Sequence, residues 1–486
     1  MTEHNPHHER RWLILCILGL AQLMVVLDAT IVNIALPSAQ TALHFSDADR
    51  QWVVTAYALA FGGLLLLGGR LGDMFGRKRI FIFGLVGFAV ASAMGGFAPS
   101  FPVLIGARAL QGAFGAILAP AALSLLNTTF TDLEERNKAF GVYGGIAVAG
   151  AAIGLLLGGV LTEYLTWRWC LYVNILIAIP ATFGAVSLLH HQNHGSGRKL
   201  DIPGTLTACG GLLALVYATS EAADKGWGNP LILGLLAVAG VLLAAFITIE
   251  RRAEHPLLPL RIITDRSRAG SFLAMAISGA GMFGVFLFLT FYLQDTLNFS
   301  PVETGLAFLP MTPMIMLTSG LSSTRWLPRF GPRPLILTGM LLGALGMLVF
   351  TQVGVASTYV AHVLPGLILV GLGMGLIFAP AMNTATVGIT GDDAGVASAM
   401  VNTSQQVGGS LGTALLNTLS TSALAGYLAD HHSQSQQMMA QAAVHGYVTA
   451  FWYAAGFFLA GAAITALVLR PGVTELDPEA EPVLVN

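Results

Sequence analysis

Fourteen transmembrane helices, set out as six, two and six in an all-α integral membrane protein, are what the residues of this chain prescribe. Three observations carry that reading. Of 486 residues, 55% are hydrophobic and 10% charged, whereas an ordinary soluble protein has about 25% charged residues. Fourteen apolar runs approach the roughly 20 residues that cross a bilayer core as a helix. Short motifs also recur at a nearly constant offset between the two ends of the chain, the mark of a duplicated half.

The elements follow in order. After a tail of residues 1–11, the first run, 12–37, continues to Pro37 with no small-residue cleavage site, so it reads as a retained helix and not a secretory leader. Runs 51–70, 80–98, 102–127, 138–162 and 169–189 complete an N-terminal six-helix half, residues 12–190. Linkers at 191–268 enclose two inserted helices, about 201–220 and 230–250. Runs 269–294, 302–323, 334–353, 358–382, 396–420 and 447–470 make a C-terminal half, residues 269–470, followed by a tail, 471–486. With the N-terminus inside, nineteen of the 23 basic residues fall in cytoplasmic segments. Only Arg50, Arg168 and Lys225 fall outside, and Arg108 lies within a span. Basic residues gather on the cytoplasmic side, so both termini are expected there.

Three matches define the repeat. Leu43-His44-Phe45-Ser46 returns as Leu297-Asn298-Phe299-Ser300, 254 residues on. Phe75-Gly76 with Arg77 returns as Phe330-Gly331 with Arg333, 255 residues on. Gly115 with Ala119-Pro120-Ala121 returns as Gly375 with Ala379-Pro380-Ala381, 260 residues on. The offset leaves room for two extra spans between the halves.

Composition and motifs exclude several chemistries. A net charge of -2 argues against nucleic acid. The three cysteines, Cys16, Cys170 and Cys209, lie in apolar runs and read as small core residues, with no disulfide or metal spacing. Histidines at 4, 7 and 8 and at 190, 191 and 194 sit in polar tail and loop and read as solvated, so no metal site is expected. No lysine follows a glycine, which removes the phosphate-cradling loop of an ATPase, and no H-E-x-x-H motif is present. A membrane enzyme is not expected, and no cofactor; the energy must come from an ion gradient or a partner.

Four features carry the candidate chemistry. Asp28 stands two-thirds of the way along the first span, and an intramembrane carboxylate is a proton-relay candidate by default, because low dielectric disfavours its charged form. Alternatively it is a structural acid satisfied by Thr30, Asn33 or a basic partner. Arg108 and Gln111 lie one turn apart in the fourth span, where a guanidinium either pairs with Asp28 or snorkels to the outer surface. Glu163, Glu221, Asp295 and Glu303 lie near outer span ends, in solvated or mouth-lining positions. The loop Gly69-Arg70-Leu71-Gly72-Asp73-Met74-Phe75-Gly76-Arg77-Lys78-Arg79 sets one acid among four bases, and by itself reads as a positive-inside anchor. The fifth span carries Gly141, Gly145, Gly150, Gly154, Gly158 and Gly159, small residues that let helices approach closely.

Taken together with Trp52, Tyr57, Trp167-Arg168-Trp169, Asn174, Asn402, Gln405 and Gln406, these motifs resemble the fourteen-span drug:proton antiporter family of the major facilitator superfamily, over residues 12–470. The resemblance implies a multi-pass protein of the bacterial inner membrane that exports hydrophobic, often cationic, small molecules against protons. It implies proton coupling at Asp28 and Arg108, and gating by Gly69, Asp73, Gly76, Arg77 and Arg79. It further implies an antiporter motif in Gly141, Gly150, Gly154, Gly158 and Gly159, although Leu155 replaces the usual Pro after the third glycine and Leu176 a Pro after Asn174. The substrate cavity is expected among Asn33, Trp52, Tyr57, Gln111, Asn402, Gln405 and Gln406. An exporter of one metabolite or antibiotic shares every motif; a passive facilitator and a non-transporting sensor are the remaining readings. The two inserted helices shield the gap between halves or meet a partner protein.

Overall fold

The computed structural model describes residues 10–47, 49–130, 133–189, 201–253, 256–386, 392–431 and 435–472. Tail residues 1–9 and 473–486, the histidines at 4, 7, 8, 190, 191 and 194, the side chains of Arg70 and Asp73, and the setting of Gly141 lie outside the described residues.

Among these residues the chain forms helices and no strand. Inside hydrocarbon every backbone polar group must be paired within the segment, which a helix achieves alone. The N-terminal half comprises α1 (Arg11–Leu43), α2 (Trp52–Phe75), α3 (Arg77–Gly96), α4 (Phe101–Thr129), α5 (Leu133–Tyr164) and α6 (Trp169–Leu188). The inserted pair is α7 (Ile202–Lys225) and α8 (Pro230–Glu250), and a short α9 (Leu260–Thr264) follows. The C-terminal half comprises α10 (Arg266–Phe291), α11 (Pro301–Phe308), α12 (Met311–Leu321), α13 (Leu327–Phe330), α14 (Pro332–Phe350), α15 (Leu364–Thr386), α16 (Asp392–His431) and α17 (Gln436–Val468).

Every run read from the sequence falls on helix. Eleven helices among the described residues are long and apolar enough to cross a membrane, and Trp52–Leu65 and Ala149–Tyr164 are shorter apolar stretches. The count of fourteen crossings is therefore an expectation that these helices accommodate and do not establish. Several helices overrun their expected bounds, with α1 reaching Leu43, α16 reaching His431 and α17 starting at Gln436, and two stretches differ in kind. The run 302–323 is broken into α11 and α12, with a π-turn at Ser322–Trp326 before α13. The loop expected at 69–79 shrinks to Gly76, whose φ of 91° turns the chain directly from α2 into α3. Glycine tolerates that left-handed φ because it lacks a Cβ.

The repeat is written in the backbone. His44 and Asn298 both have φ 54°, the two non-glycine residues with positive φ among those described, and Gly331 (φ 75°) matches Gly76. Pro120 lies inside α4 and Pro380 inside α15.

Packing divides the molecule unequally. One apolar core joins the C-terminal half to the end of the N-terminal half that lies away from the chain termini: Leu27, Ile31, Leu36, Leu104 and Trp167 share it with Phe286, Phe308 and Phe451. A second core, including Leu18, Phe61, Phe81, Phe88 and Phe130, belongs to the terminal end of the N-terminal half. The halves are thus fused at the distal end and keep separate cores at the terminal end. Close backbone approaches secure the fusion: a Cβ on Gly159 would fall 2.6 Å from the Pro301 carbonyl oxygen, and one on Gly305 2.5 Å from that of Leu155.

The inserted helices straddle the seam. Helix α7 packs on both α2 and α16, with Cys209 Sγ 3.1 Å from the Gly63 carbonyl and Tyr217 tilted against Trp52. Helix α8 leans on α7, and only 11% of its apolar stretch is buried, as expected of a surface turned to lipid. Its last residue, Glu250, is buried and accepts the Leu257 and Leu258 amides at 3.2 and 3.0 Å, fastening the chain that leads to α9. Cys16 is exposed on α1, where the sequence suggested a core residue.

Candidate functional site

Asp28, on α1, is buried within the N-terminal half. Its Oδ2 accepts from Arg108 Nη1 at 2.6 Å, and its Oδ1 from Gln111 Nε2 at 2.9 Å and Asn174 Nδ2 at 2.7 Å. Helical spacing explains the pairing on α4: positions three apart share a face, so Arg108 and Gln111 point together and bond at 3.0 Å. Arg108 is held by two further contacts, Nε to the Val53 carbonyl at 3.0 Å and its guanidinium 4.4 Å from the centre of the Tyr57 ring. Ser92 on α3 closes the cluster, accepting from Gln111 at 2.8 Å and Asn174 at 3.3 Å.

Five helices, α1, α2, α3, α4 and α6, thus meet at one ion pair. A buried pair needs its remaining hydrogen-bonding capacity satisfied, and this one is ringed by amides and a hydroxyl. Thr30 and Asn33 do not contribute; both bond back to carbonyls of their own helix. Ser92 carries no sequence signal that sets it apart from other helical serines. Asn174 was visible as a motif residue without an assigned contact.

The other expected residues scatter. Tyr57 and Gln111 join the ion-pair cluster and are buried. Trp52 faces α7. Asn402, Gln405 and Gln406 are half-buried on α16, where a Cβ on Gly62 of α2 would lie 2.9 Å from Gln406 Cβ. Gly69 and Gly76 end α2, and Arg77 and Arg79 open α3. The glycine row of α5 lies along α1: Gly150 against Leu23 and Val26, Gly154 against Leu27 and Thr30, Gly158 against Ile31.

Of the four acids near span ends, Glu163 and Glu303 are exposed and Glu221 half-exposed, and each also has a fixed partner. Glu163 accepts the Val302 amide at 3.1 Å, bridging the halves; Glu303 completes a capping box with Ser300; Glu221 pairs with Lys225 at 2.6 Å. Asp295 lines an open cleft of about 410 Å³ with Pro37, His44, Asp47 and Phe291. No group of three or more metal-ligating side chains occurs among the described residues.

The sequence pattern of the Major Facilitator Superfamily matches residues 18–413. The chain belongs to that superfamily. A puromycin resistance protein, pur8, of Streptomyces alboniger is 52% identical over 97% of this chain and 93% of the relative. A cephamycin export protein, CmcT, of Amycolatopsis lactamdurans is 38% identical over 95% and 94%. The multidrug efflux pump LfrA of Mycolicibacterium smegmatis is 32% identical over 85% and 81%. Among solved structures, an auto-inhibited peptide transporter of the POT family superposes with a TM-score of 0.67 at 17% identity, covering 94% of this chain and 96% of that one. A bacterial homologue of the lysosomal transporter Spinster, inward-facing and unoccupied, superposes with 0.66 at 16% identity, covering 95% and 97%. These show the major facilitator fold. The chain is accordingly a multi-pass membrane transporter and not an enzyme.

Proposed function

We propose that this superfamily member is a proton-coupled exporter of the drug:proton antiporter type, moving hydrophobic, often cationic, small molecules out across the bacterial inner membrane. Both termini are cytoplasmic in this reading, and the distal end is the outer one. The observation that carries it is the Asp28 carboxylate held among five helices by Arg108, Gln111 and Asn174. An acid so placed is costly and marks proton pathways.

Charged Asp28 neutralises Arg108. A proton taken from outside leaves a lone buried guanidinium, and breaking a buried pair costs about 3–5 kcal/mol. That is enough to bias two arrangements of the halves, residues 12–190 and 269–470, rocking about a central cavity. Asp28 has no exposed face in this conformation. In this arrangement substrate reaches Asp28 only through the ion pair and its helices, and proton exchange belongs to the other arrangement. Asn33, Trp52, Asn402, Gln405 and Gln406 are the candidate cavity residues, and Gly69, Asp73, Gly76, Arg77 and Arg79 the candidate inner gate. The proton gradient supplies the energy, with no cofactor. Helices α7 and α8 seal the α2–α16 seam and offer a surface to lipid or a partner protein. Outward transport is supported by relatives named for resistance, export and efflux.

Ethidium accumulation in inside-out vesicles with an imposed proton gradient tests the proposal. Wild type is expected to accumulate dye only with the gradient, and Asp28→Asn not at all; equal pumping by both overturns the role of Asp28. A narrower reading, export of one antibiotic, is favoured by the 52% identity with the puromycin resistance protein. Gradient-driven movement of puromycin with none of ethidium decides for it.

A further inference from the structure

Arg50 sits in the turn before α2, at the distal end, and its side chain is buried. A buried guanidinium must find partners, and those of Arg50 come almost entirely from the other half. Its guanidinium lies 4.3 Å from the centre of the Phe291 ring and 5.7 Å from those of Phe288 and Tyr447. Its Nε donates to Asn417 Oδ1 at 3.3 Å, and the Asn417 amide donates to the Asp47 carbonyl at 3.3 Å. One arginine of the N-terminal half is therefore boxed in by α10, α16 and α17. From its own half it has the Asp47 carboxylate, 3.9 Å away and half-exposed. Asp295 and His44 share the adjacent cleft with Asp47.

We propose that Arg50 is a positioning residue of the outer gate: its guanidinium, seated in the Phe288–Phe291–Tyr447–Asn417 box, holds the distal ends of the two halves together, and the halves part there only when it withdraws. Desolvated cation–π contacts are strong enough to latch. Withdrawal is reversible because Asp47 stands on the same turn, ready to accompany the charge into water. This deepens the alternating-access reading above and rests on it. Gly159 and Gly305 make close contacts between the halves, but these carry no charge that has to change environment.

The test measures distance, not transport. Spin labels are placed at the exposed distal positions Ser100 and Ala356, one on each half, after Cys16, Cys170 and Cys209 are replaced by serine. Pulsed dipolar spectroscopy in lipid nanodiscs then reads the separation. Arg50→Met, which keeps volume and loses charge, is expected to raise the longer-distance population about tenfold. Arg50→Lys, which keeps the cation but loses the planar guanidinium and its bond to Asn417, is expected to fall between wild type and Arg50→Met. Phe291→Leu removes the nearest ring and gives a second reading if Arg50→Met does not yield a monodisperse protein; it too is expected to open the distal end. A distance distribution unchanged by Arg50→Met, or by Phe291→Leu in its place, overturns the latch. Ethidium transport by the unlabelled wild type is scored separately. Its absence counts against the exporter reading and leaves the distance result to decide the latch.

Discussion

Arg108 Nη1 lies 2.6 Å from Asp28 Oδ2 with both side chains buried, and neither has another charged partner in the cluster. Removing one partner leaves an uncompensated charge. Arg108→Leu and Asp28→Leu are each expected to cost about 3–5 kcal/mol, and the double variant less than their sum. Unfolding of the four proteins in detergent gives the coupling; additive losses refute the pairing. Arg108→Lys is expected not to rescue transport, since it forfeits the fork that reaches Asp28, Gln111 and Val53 together.

Asn174→Leu removes one of two donors from Asp28 Oδ1 and one from Ser92. Weakening a buried charge-assisted network costs about 1–3 kcal/mol. A melting temperature equal to wild type in the same detergent contradicts the assigned contacts.

The glycine row on α5 makes opposite forecasts at two sites. A Cβ on Gly154 runs into Thr30 and lies 3.1 Å from the Leu27 carbonyl, so Gly154→Val forces α5 off α1 at a cost of about 1–3 kcal/mol. A Cβ on Gly145 would meet no neighbouring element within 4 Å. Gly145→Ala is expected to be neutral or stabilising by about 0.5–1 kcal/mol, because alanine is the better helix former. Thermal unfolding of both variants ranks them.

Glu250 anchors the α8–α9 connection through two amides. Glu250→Ala frees them, and trypsin is expected to cut at Arg251 or Arg252 faster than in wild type, with Glu250→Gln intermediate. Equal cleavage of all three proteins argues against the anchor.

Asn298 holds a left-handed φ of 54°. Asn298→Gly is expected to be tolerated, and Asn298→Ile to lose about 1–2 kcal/mol, the strain of a branched residue there. Indistinguishable stabilities of the two variants would falsify the strain argument.

Much of this was legible in the residues. Run length and apolar content mark helices because a bilayer admits little else. The repeat was legible as well: His44 and Asn298, found by matching letters, share one backbone angle because both close the first helix of a half. Asp28 and Arg108 drew attention as charges in apolar runs. Asn174 and Ser92 were not predictable as their companions, since nothing local distinguishes a helical amide that faces a carboxylate from one that faces another helix. The turn at 69–79 was overestimated because its charges suggested a loop, whereas glycine at 76 alone reverses the chain.

The sequence by itself determined the fold class, the repeat and the two charges that cannot stand unpaired in hydrocarbon, because each follows from the free energy of placing a residue in lipid. Tertiary structure decided which charges meet. It brought Arg50 of one half into an aromatic box of the other, fused the halves at the distal end and turned Glu163 and Glu303 into fastenings for α11. Those outcomes depend on which helix faces pack together, and contacts between residues hundreds of positions apart leave no trace in the local pattern of the chain.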